Sequence, residues 1–257
     1  MSARLECEGL TGGRARLTAF RDVTLSVESG KVLALLGANG AGKTTLLLTM
    51  AGILNAWGGE VSVEGRSLRN GSPGAANRAG LVFVPDNRCL FGSLTVEENI
   101  RAAAHRSGRS TRSVLDTFPA LEKRWTVQAN ALSGGEQQML AMARALIQDP
   151  KVLLVDELSM GLAPMIVESL FEMVRRIADE HGCAVVLVEQ HVTLALGVAD
   201  DAVVLTRGSV ALRGSAAQLR ADPDELERAY FGPTELASRR VTSQLGPVPE
   251  TDAGPGR

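Results

Sequence analysis

A short apolar run followed by a glycine-rich loop and a lysine constrains the fold of this chain more than any other feature. The run ends at Leu36, and the next eight residues, Gly37 to Thr44, fit the pattern G-x-x-x-x-G-K-[ST]. Glycines let the backbone bend around a phosphate group so that its N–H groups point at the anion. The pattern therefore predicts a strand, a phosphate-binding loop and then a helix whose positive end faces the same anion.

Two side chains at the end of this loop carry the expected chemistry. Lys43 would reach the β- and γ-phosphates of a nucleotide, and Thr44 would offer its hydroxyl to Mg²⁺. A glycine-rich turn before a helix can also arise for structural reasons alone in a chain with 27 glycines. The strand before the loop and the apolar run Leu46 to Leu48 after it favour nucleotide binding.

A second apolar run, Val152 to Val155, ends in the adjacent carboxylates Asp156 and Glu157. Asp156 suits Mg²⁺ binding, and Glu157 can orient and deprotonate the water that attacks a γ-phosphate. A strand that ends in acids is often only a strand entering a loop. Together with the phosphate-binding loop, however, the two carboxylates indicate nucleotide hydrolysis.

Composition and charge exclude several classes of protein. A chain of 257 residues can bury a large core, and we expect one domain with an inserted subdomain. The net charge of −2 gives no polyelectrolyte signature, so we expect no nucleic acid partner. There is no apolar signal core and no window of about 18 apolar residues, so we expect a cytoplasmic location.

Hydrophobic patterning predicts an α/β fold. Five short β-branched runs with helical stretches between several of them predict a mainly parallel sheet covered on both faces, at residues 32–36, 81–84, 152–155, 184–188 and 202–205. More strongly alternating runs at residues 17–27 and 61–68 predict a small antiparallel sheet.

The strand signal disappears over residues 87–145. Thr95 and Glu98 have capping-box spacing before a helix, and residues 112–121 indicate a second helix, so we expect an inserted helical subdomain. Residues 236–257 are rich in Pro, Gly, Ser and Thr, which predicts a flexible C-terminal tail.

A third motif, Leu132-Ser133-Gly134-Gly135-Glu136-Gln137-Gln138, opens the helix that leads into the Asp156 strand. Ser133 and the amides of Gly134 and Gly135 can form an anion site at a helix N-terminus, although Ser133 and Glu136 alone could be a simple capping box.

With this motif the chain resembles the ATP-binding subunits of ABC transporters over residues 4–232, which implies a P-loop NTPase fold of the ABC ATPase type. Residues 37–45 match the family's Walker A loop, 132–138 its signature motif, 152–157 its Walker B strand and 159–164 its D-loop. The resemblance implies ATP and Mg²⁺ as ligands and these nucleotide-binding residues: Gly37, Ala38, Asn39, Gly40, Ala41, Gly42, Lys43, Thr44, Thr45, Ser133, Gly134 and Gly135.

The resemblance also implies partners, because the family's signature motif contacts ATP held by the opposite subunit. We therefore expect a head-to-tail dimer with an identical or related subunit. The resemblance is closer to the nucleotide-binding subunits of branched-chain amino-acid importers, with amide and urea importers similar, as seen in these segments: 37–40, 94–99, 136–140, 161–164 and 188–190. It implies permease subunits that meet residues 86–94, an extracytoplasmic solute-binding protein, and a peripheral position on the inner face of the cell membrane.

Four positions depart from the family pattern. Arg14 stands where many members stack an aromatic ring on adenine, and its guanidinium could stack there instead or be a solvated surface group. Asp86 stands closest to the family's glutamine and could ligate Mg²⁺ or cap a turn. Leu158 replaces a common proline. Gln190 occupies the position of the family's switch histidine and His191 follows it, and adjacent residues of a strand end cannot both face the γ-phosphate.

Three functions follow from these features. The first is an ATP-hydrolysing importer subunit with Glu157 as the catalytic residue and Gln190 or His191 as the switch. The second is a soluble ABC ATPase that acts outside transport, which the single module and the lack of a basic arm disfavour. The third is a nucleotide-sensing partner with little turnover, which Lys43, Asp156 and Glu157 disfavour.

Overall fold

A computed structural model describes residues 3–104 and 108–231 of the chain, and these form ten β-strands and eight α-helices. The strands are β1 (Ala3–Arg14), β2 (Leu17–Glu28), β3 (Val32–Leu36), β4 (Gly58–Val63), β5 (Arg66–Ser67), β6 (Leu81–Val84), β7 (Val152–Asp156), β8 (Ala184–Val188), β9 (Asp201–Thr206) and β10 (Ser209–Ser215). The α-helices are α1 (Lys43–Met50), α2 (Pro73–Arg78), α3 (Val96–Ala104), α4 (Gly134–Leu146), α5 (Pro164–His181), α6 (Val192–Val198), α7 (Ala216–Ala221) and α8 (Pro223–Phe231).

The central sheet has six strands in the order β10-β9-β3-β8-β7-β6. Every neighbouring pair is parallel except β10 with β9, which confirms the predicted parallel core. All residues of β3, β7 and β8 are buried, as expected of parallel strands covered on both faces. Because parallel strands point the same way, the segments that follow β3, β6, β7 and β8 meet at one edge of the sheet.

Alternate residues of β3 enter two separate hydrophobic cores. Val32, Ala34 and Leu36 pack in a core that includes residues of α4 and α5. Leu33 and Leu35 pack on the opposite face, with residues of α1 and of the small sheet. The phosphate-binding loop therefore leaves a strand that is fixed from both sides.

The predicted small antiparallel sheet is present, with four strands in the order β2-β1-β4-β5. The predicted run at 61–68 is divided between β4 and β5, because Glu64 and Gly65 both have positive φ and form a turn. Sequence patterning did not identify β1, whose Gly9, Gly12 and Gly13 weaken a strand pattern.

The segment between β6 and β7 contains α3 and α4, separated by short 3-10 helices. The predicted capping box is confirmed, since the Thr95 N–H donates to Glu98 Oε2 at 2.8 Å and the Glu98 N–H donates to Thr95 Oγ1 at 3.2 Å. The single helix expected over residues 112–121 is wrong. Two 3-10 helices occupy Thr111–Asp116 and Pro119–Arg124, because Pro119 has no N–H to continue a helix and restricts the residue before it.

The C-terminal part of the described chain adds β10, α7 and α8 to the predicted strands. Gly232 and the predicted flexible tail at 236–257 lie outside the described residues, so the domain limits stay predictions. In the part of the chain that is described, every helix is too short or too polar to span a bilayer.

Candidate active site

The phosphate-binding loop joins β3 to α1 with a backbone that requires glycine at two positions. Gly37 has a φ of 146°, and a Cβ there would lie 2.2 Å from the carbonyl oxygen of Leu205. Gly42 has a φ of 104°, and a Cβ there would lie 2.4 Å from the carbonyl oxygen of Ala19. Gly42 is also the N-cap of α1 and provides no side-chain cap. The loop therefore presents an uncapped helix N-terminus, the arrangement that binds phosphate.

Lys43 is buried under this loop. Its Nζ donates to the carbonyl oxygens of Gly37 at 2.6 Å and Ala38 at 3.0 Å. Burial lowers the pKa of Lys43, and the nearby carboxylates of Glu157 and Asp156 partly oppose that shift. The ammonium group thus folds back on the loop, within reach of any phosphate that enters it.

Asp156 ends β7 and is 1% exposed, and no hydrogen bond within 3.5 Å reaches either of its carboxylate oxygens among the described residues, although the Thr44 side chain lies close enough to lower the pKa of this group. Burial raises the pKa of Asp156 to about 6, with Glu157 and Asp86 reinforcing the shift and Thr44 and Lys43 opposing it. Two orphaned acceptor oxygens in a buried site are costly unless a cation or donor completes them. Oxygen donors are the ligands that Mg²⁺ prefers, so Asp156 and Thr44 fit this ion.

Asp86 follows β6 and is exposed, and its Oδ1 accepts the N–H of Asn87 at 2.8 Å. Asp86, Thr44 and Asp156 line one cavity of about 650 Å³. The structure thus brings the three predicted metal-binding residues to one cavity. The hydrogen bond from Asn87 shows that Asp86 also caps the turn after β6, the alternative role considered for it.

Glu157 lies directly after Asp156 with a φ of 49°, unusual for a residue other than glycine. Its N–H donates to the Val188 carbonyl at 3.0 Å, and its Oε1 accepts Nε2 of Gln190 at 2.8 Å. His191 is exposed and is the N-cap of α6, without a side-chain cap. Of the two candidate switch residues, Gln190 is therefore the one in contact with Glu157.

Glu189 is a buried carboxylate next to Gln190 that sequence analysis did not single out. Glu189 accepts the N–H of Ser159 at 3.0 Å and its hydroxyl at 2.6 Å. Burial raises the pKa of Glu189, and the donors from Ser159 and the Gln190 N–H oppose that shift. An acid directly after an all-apolar strand was the available signal, but its partner lies 30 residues away in sequence.

The third motif begins α4 with a complete capping box. The Glu136 N–H donates to Ser133 Oγ at 3.3 Å, and the Ser133 N–H donates to Glu136 Oε2 at 2.8 Å. Gly134 and Gly135 allow close packing, since a Cβ would lie 3.1 Å from Leu162 and 2.7 Å from Ile166 respectively. This helix start does not line the cavity of Asp156, so the two candidate anion sites are separate within one chain.

Arg14 ends β1 and is exposed. It lines the cavity of Thr44 and Asp156 and also a neighbouring one of about 780 Å³, which Trp57 shares. Trp57 is 48% exposed. The aromatic side chain near Arg14 is therefore Trp57, which follows the phosphate-binding loop in the sequence. The aromatic residue of the family pattern precedes that loop.

Comparison with known proteins agrees with this geometry. Residues 20–159 match the family model described as ABC transporter. The branched-chain amino acid transport ATP-binding protein BraG of Pseudomonas aeruginosa is 40% identical over 222 residues, which are 84% of this chain and 94% of that protein. The probable counterpart LivF of Archaeoglobus fulgidus is 34% identical, over 87% of this chain and 96% of that protein. The crystal structure of an ATP-binding cassette of an ABC transporter in its ADP conformation has a TM-score of 0.79 at 24% identity, covering 91% of this chain and 100% of that one.

Proposed function

Because this chain belongs to the ABC transporter family, we propose that it is the ATP-binding and ATP-hydrolysing subunit of an importer for branched-chain amino acids or similar small solutes. The observation that carries the hydrolytic part is the unpartnered, buried carboxylate of Asp156 beside an open phosphate-binding loop. The solute class is supported by the names of the relatives, which this chain covers over nearly their whole length.

In the proposed reaction the loop N–H groups and Lys43 bind the β- and γ-phosphates, which pre-organises charge where it develops during phosphoryl transfer. Mg²⁺, when bound by Thr44 and Asp156, would neutralise charge on the phosphate oxygens. Glu157 orients the attacking water and accepts its proton. Gln190, which already contacts Glu157, would hold that carboxylate and face the γ-phosphate. Asp86 would approach the same ion from β6, and Arg14 would stack on the base.

The proposed assembly contains two such subunits, since the anion site of Ser133, Gly134 and Gly135 lies outside the cavity of the phosphate-binding loop on the same chain. Each α4 would contact ATP on the other subunit. Permease subunits would bind near residues 86–94, where Phe91 is exposed. They would hold the subunit at the inner face of the membrane, and a solute-binding protein outside would choose the solute.

Steady-state ATPase activity of the purified chain, measured against protein concentration, tests the hydrolytic part. Activity that rises more than linearly, with an ATP-bound dimer accumulating for Glu157→Gln, supports a site shared between subunits. No turnover at any concentration, with or without Mg²⁺, would contradict a self-sufficient motor. Uptake of radiolabelled leucine and of urea by vesicles containing the permease then tests the solute class, and transport of neither would contradict it.

A further inference from the structure

Glu189 is a buried carboxylate that the proposed hydrolysis does not use. It lies one residue after β8, is 1% exposed, and both of its oxygens accept hydrogen bonds. Oε1 accepts the Ser159 N–H at 3.0 Å, while Oε2 accepts the Ser159 hydroxyl at 2.6 Å and the Gln190 N–H at 3.2 Å. A buried acid is costly, so three donors converging on one carboxylate indicate a specific structural task.

Those donors belong to the two segments that carry the candidate hydrolytic groups. Ser159 lies two residues after Glu157, and Gln190 is adjacent to Glu189. Glu157 is itself bonded to the second segment, through its N–H to Val188 and its carboxylate to Gln190. Three connections therefore join the ends of β7 and β8: Glu157 N–H to Val188, the Glu157 carboxylate to Gln190, and Ser159 to Glu189.

The first segment needs such a restraint. The φ of 49° at Glu157 is a left-handed conformation, which is unfavourable for a residue with a side chain. A proline at the next position would fix one torsion angle of the turn, but this chain has Leu158, whose side chain is fully buried. The contacts to Glu189 add a polar restraint to the chain directly after the strained residue, beside the packing of Leu158 in the core.

We propose that Glu189 is a positioning residue, which holds Ser159 and the Gln190 backbone so that the Glu157 carboxylate stays in contact with the Gln190 side chain. This inference rests on the proposed function, because it assigns Glu189 a part in hydrolysis. It does not place Glu189 against ATP. A carboxylate is required because it offers acceptor sites on both oxygens to three donors, whereas an amide offers one acceptor oxygen.

The test compares Glu189→Gln with the unchanged chain. We expect kcat for ATP hydrolysis to fall at least about tenfold while KM and the dissociation constant of ATP stay within about twofold, because small displacements of catalytic groups affect the reaction more than ground-state binding. Ser159→Ala should lower kcat less, since the Ser159 N–H remains as a donor. The double variant should resemble Glu189→Gln alone, because both changes break one set of contacts.

Asp200→Asn is the matched control. Asp200 is also a hydrogen-bonded carboxylate, accepting from the Val32 N–H, Lys31 and Arg175, but it lies at the amino ends of the strands, away from the site. It should lower the melting temperature and leave kcat unchanged.

The outcomes separate the two proposals. If the unchanged chain hydrolyses ATP and Glu189→Gln keeps its kcat, or loses kcat and ATP affinity in equal measure, the positioning role is wrong. The same holds if kcat losses of Glu189→Gln and Ser159→Ala multiply in the double variant. If the unchanged chain shows no turnover, the proposed function itself fails. If Glu189→Gln does not fold, Ser159→Ala is the test: a lower kcat with unchanged ATP affinity supports the positioning role, and an unchanged kcat contradicts it.

Discussion

Two helices of this chain begin at glycine-rich candidate anion sites, yet their first turns are built in opposite ways. At α1 the N-cap is Gly42, no side chain caps the helix and the first turn has no acid. At α4 the N-cap is Ser133, a complete capping box closes the helix, and Glu136 lies in the first turn. We call the start of α1 the open end, because no side chain caps it, and the start of α4 the closed end, because Ser133 and Glu136 cap it.

The difference indicates what each site depends on. In the proposed function, the uncapped end of α1 and the buried carboxylate of Asp156 would be completed by a phosphate and a cation from outside the chain. The start of α4 is already capped within the single chain, and Arg124 pairs with Glu136 at 2.7 Å and lowers the pKa of its carboxyl. If the chain acts as proposed, α1 would bind the nucleotide of its own subunit and α4 would contact the nucleotide held by the other subunit.

The largest expected effect comes from adding a side chain at the N-cap of α1. Gly42→Ala would place a Cβ 2.4 Å from a backbone oxygen at a φ of 104°, so we expect a loss of about 3 kcal/mol in unfolding free energy and loss of ATP binding. Gly65→Ala is the control, since Gly65 has positive φ, a Cβ there would meet no atom within 4 Å, and it lies in the turn between β4 and β5; it should cost about 1–2 kcal/mol and leave ATP binding unchanged. Thermal unfolding and ATP titration measure both. If both variants lost the same unfolding free energy, the close contact between residue 42 and the backbone oxygen would not explain the need for glycine there.

The second prediction concerns the unpartnered carboxylate at the open end. Asp156→Asn removes a buried charge whose desolvation outweighs the help it receives from Thr44 and Lys43, so it should raise the unfolding free energy of the nucleotide-free protein by about 2 kcal/mol while abolishing Mg²⁺-dependent ATPase activity. Asp200→Asn should have the opposite sign, because that carboxylate has three partners. Melting temperatures without nucleotide check this, and a destabilised Asp156→Asn would mean that its carboxylate is satisfied after all.

The third prediction addresses the closed end. Ser133→Ala removes the cap of α4 and should cost about 1 kcal/mol of stability. Ser215→Ala removes an equivalent capping box at α7, outside the site, and should cost a similar amount. If α4 receives nucleotide from a second subunit, only Ser133→Ala will also lower the dependence of ATPase activity on protein concentration. If both variants changed the concentration dependence of ATPase activity equally, Ser133 would be only a structural cap.

The contrast between the two helix ends was partly predictable from sequence. The phosphate-binding loop, the capping-box spacing and the strands that carry them are local patterns, and the five predicted sheet strands are present. What sequence could not supply depends on contacts across the sheet. The pairing of Asp156 with Val188 brings Gln190 to Glu157 and Glu189 to Ser159, and no local rule distinguishes Gln190 from His191.

The smallest effect should come from Glu136, the acid in the first turn of α4, and its effect on the ATP-dependent dimer should be opposite in sign to that of Ser133→Ala. Glu136→Gln keeps an oxygen that can accept the Ser133 N–H but removes a negative charge from the first turn of α4. Its ion pair with Arg124 is partly exposed, so the stability loss should stay below about 1 kcal/mol. Removing that charge should favour an incoming phosphate and tighten the ATP-dependent dimer about two- to fivefold at low salt.

Glu122→Gln is the matched control for this last change, because Glu122 also lies between β6 and β7 and its carboxylate is 4.0 Å from the guanidinium of Arg112. Sedimentation of the dimer on a Glu157→Gln background, at two salt concentrations, measures both variants. Tightening by Glu136→Gln alone, lost at high salt, would mean that α4 meets an anion. Equal behaviour of the two variants would mean that net charge alone governs association, and the closed helix end would then lose its proposed role.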